Sequence, residues 1–160
     1  MAFLQLWNSD KQALVDDEDL PLTVNLRWRL AHHGYVVNTR SINGKYTATY
    51  LHRLVMRAIK GIRIDHKFGN KLDCRKENLR PATQTQNLGN SIWNKTGKTS
   101  KFRGVSWHKF TQKWRASLRT SHPRNTLHLG VFVDETEAAR AYNTAAIEHF
   151  GADFARLNAV

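Results

Sequence analysis

The stretch that decides the reading runs Ile64-Asp65-His66-Lys67-Phe68-Gly69-Asn70-Lys71-Leu72-Asp73-Cys74-Arg75-Lys76-Glu77-Asn78-Leu79-Arg80 and continues through Thr83-Gln84-Thr85-Gln86-Asn87 to Asn90. Ile62-Arg63-Ile64 is a short β run that delivers an aspartate and a histidine at the end of a strand. A turn-rich loop containing Gly69 follows to Asn78, and Leu79–Ala82 reads as a second short strand. Thr83-Gln84-Thr85-Gln86 fits a capping box and opens a helix that presents Asn87. A strand–loop–strand–helix unit of this kind can bring an aspartate carboxylate and an asparagine carboxamide together as hard oxygen ligands. Such donors suit Mg²⁺ or Mn²⁺, which keep several waters and take phosphate oxygens. A neighbouring neutral histidine can then accept a proton from an attacking water.

Upstream of this stretch, residues 23–30 and 35–39 are β-like runs. Asn43-Gly44 is a hairpin signal, and Tyr46-Thr47-Ala48-Thr49-Tyr50 alternates as the returning strand. Residues 51–60 carry Leu51, Leu54, Val55, Ala58 and Ile59 at the spacing of an amphipathic helix, which Gly61 stops. His52 on that helix reads as a capping or packing residue, and His32-His33 as an exposed pair before Gly34. The acidic run Asp16-Asp17-Glu18-Asp19 reads as structural, because consecutive side chains do not converge on one point.

The whole chain has 160 residues with 25 basic and 13 acidic side chains, a formal net charge of +12. The charge is uneven: residues 1–22 carry −4, residues 23–100 +12, residues 101–133 +7 with no acid, and residues 134–160 −3. Basic stretches interleaved with Trp, Tyr and His point to a phosphate backbone as partner. Hydrophobic residues, at 41%, suffice for a packed core. No apolar run approaches the ~20 residues that span a bilayer, so no membrane partner is expected. The first ten residues lack a basic segment ahead of an apolar one and are not expected to be a signal peptide. Cys74 is the single cysteine, which excludes an intrachain disulfide and a zinc site built on paired cysteines.

Asp65-His66, Asn78-Leu79-Arg80 and Asn87, preceded by Tyr50-Leu51-His52-Arg53-Leu54-Val55-Met56, resemble the HNH (ββα-metal) endonucleases. The likeness is to the phage homing enzymes that carry Asn in place of the last His of the motif, and it covers roughly residues 45–92. The resemblance implies that Asp65 and Asn87 hold one divalent ion, Mg²⁺ or Mn²⁺, and that His66 is the general base. It also implies that Asn78 holds the loop and orients the His66 ring. Cys74 departs from the pattern at a position where many relatives have Asn. Arg80 or Arg63 could add charge stabilisation.

Beyond a polar stretch at 94–100, Trp114, Ala116 and Leu118 alternate with Lys113, Arg115, Ser117 and Arg119, one face apolar and the other cationic. Leu127, Leu129 and Val131 alternate likewise, and residues 102–107 make a third strand candidate. Asp134 opens a helix whose Ala138, Ala139, Tyr142, Ala145, Ala146 and His149 share one face. Phe102-Arg103-Gly104-Val105, Lys113-Trp114-Arg115-Ala116, Leu129-Gly130-Val131-Phe132 and Glu137 through Asn143 resemble the DNA-binding domain of plant ethylene-response factors. The resemblance implies a three-stranded sheet laid in the major groove, with Arg103 and Arg119 at contact positions. Lys109, Lys113 and Arg115 read as phosphate contacts. Ser106, His108, Ser117, Thr126 and His128 differ from the plant residues, so the plant target does not transfer. His108, His122 and His128 have no carboxylate at ligand spacing, so a second metal site is not expected.

The expectation is therefore an α+β chain in two parts. A ββα-metal nuclease domain would occupy residues 1–93 (core about 45–93), followed by a linker at 94–100. A DNA-binding module of three antiparallel strands packed on one helix would occupy 101–160. The expected partner is double-stranded DNA, without zinc, in a bacterial cytoplasm if the gene is a phage's. A DNA-binding regulator built on an inactive nuclease scaffold is the alternative.

Overall fold

The computed structural model describes residues 1–93, 96–121 and 125–160; Asn94 and Lys95 of the expected linker, and His122, lie outside the described residues. The chain forms two compact units, Met1–Ala82 and Thr83–Val160. The division falls ahead of the 94–100 stretch, because the helix carrying Asn87 packs within the second unit. Among the described residues the fold is mixed α+β, with four small antiparallel sheets and four α-helices. None of these helices is long and apolar enough to cross a membrane.

In the first unit, β1 (Ala2–Gln5) pairs with β2 (Gln12–Val15), a sheet that the sequence patterns above do not announce. Leu4, Ala13 and Val15 face the core while Phe3 stays exposed, the period-2 alternation of a half-buried strand. Leu14 also reaches across to the loop ahead of Asn78, donating to Leu72 O and accepting from Cys74 N, both at 2.8 Å.

Residues 23–30 are not the expected β run. Pro21 sits in the first turn of α1 (Leu20–Thr23), a position that its fixed φ suits. Trp28 Nε1 donates to Thr23 O at 3.0 Å, leaving only β3 (Arg29–Leu30) to pair with β4 (Val36–Ile42). β4 pairs in turn with β5 (Lys45–Tyr50). Asn43 (φ 51°) and Gly44 (φ 74°) are both left-handed, as a type I′ hairpin turn demands.

The expected helix over 51–60 ends halfway: α2 spans Leu51–Val55. Arg57 adopts φ 46°, and the Arg53 guanidinium donates to the carbonyls of Ala58, Ile59 and Ile62. These carbonyls therefore turn toward a side chain rather than toward a continuing helix, and Ile59 is exposed. β6 (Arg63–His66) and β7 (Leu79–Ala82) then pair with Asp65 opposite Arg80 and His66 opposite Leu79. Leu6, Val15, Trp28, Val36, Leu51, Val55, Ile64, Cys74 and Leu79 form the core of this unit.

The second unit opens with α3 (Gln84–Gly89), whose Thr83 capping box is complete. β8 (Val105–His108), β9 (Lys113–Arg119) and β10 (Thr126–Phe132) form one antiparallel sheet with β9 central. α4 (Glu135–Phe150) begins at Asp134, whose side chain accepts from Glu137 N. It lays Ala138, Ala139, Tyr142, Ala146 and Phe150 against the sheet. The simple alternation expected along β10 is broken by a bulge between His128 and Gly130. As a result Leu129 and Phe132 pack inward while Leu127 and Val131 stay exposed.

Candidate functional site

Asp65 and His66 occupy the last two positions of β6 and are buried. Their position follows from the strand pairing, which sets Arg80 directly across from Asp65. Arg80 Nε and Nη2 each donate to Asp65 Oδ2 at 3.0 Å. The salt bridge holds one edge of the carboxylate and brings a cation to the centre. Arg63, the other arginine considered from sequence, is exposed.

The loop after His66 is stapled by Asn78, which is fully buried. Its Oδ1 accepts from Phe68 N at 2.9 Å, and its Nδ2 donates to Asn70 O at 3.2 Å and Asp73 O at 2.7 Å. Gly69 N donates to His66 O at 2.8 Å, and Asp73 is held by Arg75 at 2.7 and 2.9 Å. Removing the Asn78 carboxamide would take their partner from Phe68 N and Asp73 O, while Asn70 O would keep the bond it accepts from Asp73 N at 3.3 Å. Asn78→Ala is expected to destabilise the first unit by about 3 kcal/mol, read as a lowered urea midpoint. A loss below about 1 kcal/mol would mean that the loop does not depend on this side chain.

Around His66 lies a group of rings that the sequence did not foretell. The His52 ring is 5.0 Å from that of His66, Tyr35 is 5.8 Å from it, and Tyr50 and His33 stand behind. Lys71 Nζ lies over Tyr35 at 4.3 Å. Cys74 Sγ is 3.9 Å from His66 Nε2. Burial is the main cause that lowers His66 to about 4 and His52 to about 3. The Asp65 and Asp73 carboxylates pull His66 upward and Lys71 pushes it down. Burial likewise raises the Cys74 thiol to about 12. At neutral pH the pocket therefore holds two neutral imidazoles and a protonated thiol. An uncharged His66 beside a carboxylate can take up a proton, and the thiol is withdrawn as a soft metal ligand. His52, read from sequence as a packing residue, is buried with no hydrogen-bond partner on Nδ1.

Asn87 lies on α3 and so belongs to the second unit, whereas Asp65 and His66 belong to the first. Among the described residues no group of three or more His, Cys, Asp and Glu side chains is arranged to hold a metal ion. The candidate donors are instead a carboxylate and a carboxamide, the chemistry of a hard, partly hydrated cation.

On the second unit the outward face of the sheet carries Lys113, Arg115, Ser117 and Arg119 from β9. It also carries Ser106 and His108 from β8, and Thr126, His128 and Val131 from β10, paired across the strands. Lys113, Arg115 and Arg119 are exposed, as is Lys109 in the turn after β8. The 101–133 segment contributes no acid to this face. Arg103, the other position expected from sequence to contact DNA, is engaged within the second unit. It precedes β8, is half-buried, and its guanidinium donates to the carbonyls of Leu88, Gly89 and Ser91 and to Ser91 Oγ, at 2.9–3.1 Å. This guanidinium, held by four acceptors at the end of α3, lines a cavity together with Ser117, Arg119 and Thr126 of the sheet.

No family model matches the chain. Ethylene-responsive transcription factor WRI1 of Arabidopsis thaliana is 41% identical over 54 residues, 34% of this chain and 13% of the relative. APETALA2-like protein 2 of Oryza sativa is 45% identical over 53 residues, 33% of this chain and 12% of the relative. An AP2-like ethylene-responsive transcription factor of Arabidopsis is 41% identical over 61 residues, 38% and 16% respectively. The chain thus spans between 12% and 16% of the length of these relatives. A solved structure described as DNA binding and cleavage by the HNH homing endonuclease I-HmuI overlays partially and loosely. It covers 39% of each chain at 32% identity, with a TM-score of 0.34.

Proposed function

We propose that this protein is a DNA endonuclease of the HNH type, dependent on Mg²⁺ or Mn²⁺, whose C-terminal module holds or selects the target. The observation that carries the reading is the β6–loop–β7 unit. It presents Asp65 and a neutral, buried His66 side by side at a strand end, with the intervening loop stapled by Asn78. The C-terminal half of the reading is supported by 41% identity, over 54 and 61 residues, to two relatives named as ethylene-responsive transcription factors. The acid-free outward face of the three-stranded sheet also supports it.

In this reading Asp65 and Asn87 would hold the divalent ion, which when bound supplies Lewis-acid stabilisation of the charge developing on the phosphate. His66 accepts the proton of the attacking water, its neutral form secured by burial. Asp65, one edge of which is fixed by Arg80, keeps its carboxylate in place. Arg80 adds positive charge where the scissile phosphate would bind. Asn78 fixes the loop on which His66 sits.

The test is conversion of supercoiled plasmid in Mg²⁺, then Mn²⁺, with EDTA as control. Nicked or linear product that disappears in EDTA supports the nuclease. Tight DNA binding without cutting in either ion favours the second reading, a DNA-binding regulator, to which the names of the two Arabidopsis relatives point.

The sheet face makes its own prediction. Lys113→Ala and Arg115→Ala are each expected to reduce the slope of log affinity against log salt by about 1, uniformly across sequences, as phosphate contacts do. Arg119→Ala should cost about 1–3 kcal/mol at one base-pair position if its guanidinium reads a base. Unaltered salt slopes for all three variants, measured by fluorescence anisotropy, would take the sheet face out of the DNA interface.

A further inference from the structure

We infer that Arg103 is a positioning residue for Asn87, clamping α3 to the C-terminal module so that the module expected to bind DNA also sets the backbone of a residue at the proposed cation site. The inference rests on the nuclease reading for the role of Asn87, but its physical basis lies wholly within the second unit. A six-residue helix is too short to persist alone, so its partners decide where Asn87 stands. Arg103 supplies four of those contacts, all on Leu88, Gly89 and Ser91. These are the last carbonyls of α3 and its exit, where orphaned acceptors and the negative end of the helix dipole favour a cation.

Four other contacts converge on the same short segment. Arg156 Nε donates to Asn90 Oδ1 at 3.0 Å, and Arg156 N to Gly89 O at 3.3 Å. Thr85 Oγ1 and Ser121 Oγ are 2.6 Å apart. Gly89 lies so close to α4 that a Cβ there would meet the Phe150 side chain at 2.6 Å. The side chain that the plant-factor resemblance assigns to DNA therefore has a task within the chain itself. It joins the helix bearing Asn87 to the sheet module, one residue ahead of Gly104 and two ahead of β8.

The test uses the full chain with Arg103→Ala and Arg103→Lys. Hydrogen exchange should show the amides of Asn87 in α3 and of Asn90 at its C-terminal end opening at least about tenfold faster in Arg103→Ala, while the β9 amide of Ser117 keeps wild-type protection. The Mn²⁺ concentration for half-saturation, followed by Mn²⁺ paramagnetic resonance, should rise about tenfold, and kcat should fall while the DNA concentration for half-maximal rate changes less than about threefold. A merely structural role would open the sheet together with α3. Should Arg103→Ala fail to fold, Arg103→Lys decides: it keeps the charge for a phosphate but cannot span three carbonyls, so α3 must still open selectively.

Wild-type α3 protection in a folded variant, accompanied by lost affinity at one base pair, would make Arg103 a base reader and overturn the inference. If wild-type protein neither binds Mn²⁺ nor cleaves, the nuclease reading fails, yet the exchange data still settle whether Arg103 holds α3.

Discussion

His66→Ala is expected to reduce metal-dependent strand cleavage by roughly 10²–10⁴-fold, the usual contribution of a positioned general base. DNA affinity should stay within about threefold of wild type, because the cationic sheet that would supply phosphate contacts lies in the second unit. Other histidines do not replace it. His52 is buried behind His66, and His33 is exposed at the edge of the ring group. The imidazole also fills space beside Cys74 and Tyr35. A companion His66→Gln, closer in volume, therefore separates loss of the base from loss of packing: both variants should lose cleavage, and the glutamine should retain more stability. Cleavage within about tenfold of wild type in either folded variant would remove His66 from the chemistry. Deleting residues 101–160 is a less clean experiment than the sequence suggests. The truncation also strips α3 of Arg103, Arg156 and Phe150, so lost cleavage there would mix targeting with the placement of Asn87.

Features set by neighbours in the chain were legible in the sequence. Asn43-Gly44 makes its hairpin because two successive left-handed residues match the twist of the flanking strands. Thr83 and Gln86 complete their capping box, and Asp134 caps α4, because such bonds close within three residues. The alternation along β9 identifies its two faces for the same reason. The features that escaped depend on distant partners. α2 stops at Val55 because Arg53 reaches the carbonyls of Ala58, Ile59 and Ile62, which its periodic apolar residues do not reveal. β1 and β2 are four residues each, too short for periodicity to distinguish from loop. The bulge at His128–Gly130 moves Val131 outward although the sequence alternates smoothly through it. At the candidate site, Asp65, His66 and Asn78 could be named from sequence. The rings of Tyr35 and His52 around His66, the Arg80 bridge and the engagement of Arg103 required the fold, since each joins residues separated by a dozen positions or more.

Acid should unfold the first unit well above the range in which carboxylates titrate, and His52 and His66 are the cause. Both are more than nine-tenths buried, and burial lowers them to about 3 and about 4. In the unfolded chain each returns to about 6.5. Above that pH both are neutral in both states, and the pair adds no pH dependence. Below it the unfolded chain takes up protons that the folded chain refuses, so stability falls as pH falls. The slope approaches about 2.7 kcal/mol per pH unit with both histidines contributing, and it relaxes only as each folded histidine titrates.

The charges facing the pair do not reverse the sign. Asp65 and Asp73 favour the His66 imidazolium, Lys71 opposes it, and His52 faces Arg53 and His66 itself. Carboxylates act in a separate window. Asp73, held below its ordinary value chiefly by its hydrogen bond from Arg75, contributes stability that is lost only below about pH 4. Urea midpoints taken from about pH 7.5 down to 4.5 should therefore be level at first and then decline steeply below about 6.5. His66→Gln should remove close to half of that decline, since the glutamine does not titrate and His52 still does. A midpoint that stays level down to about pH 4.5 would show that the two imidazoles take up protons as readily in the folded as in the unfolded chain, and with it the argument for a neutral His66 secured by burial would fall.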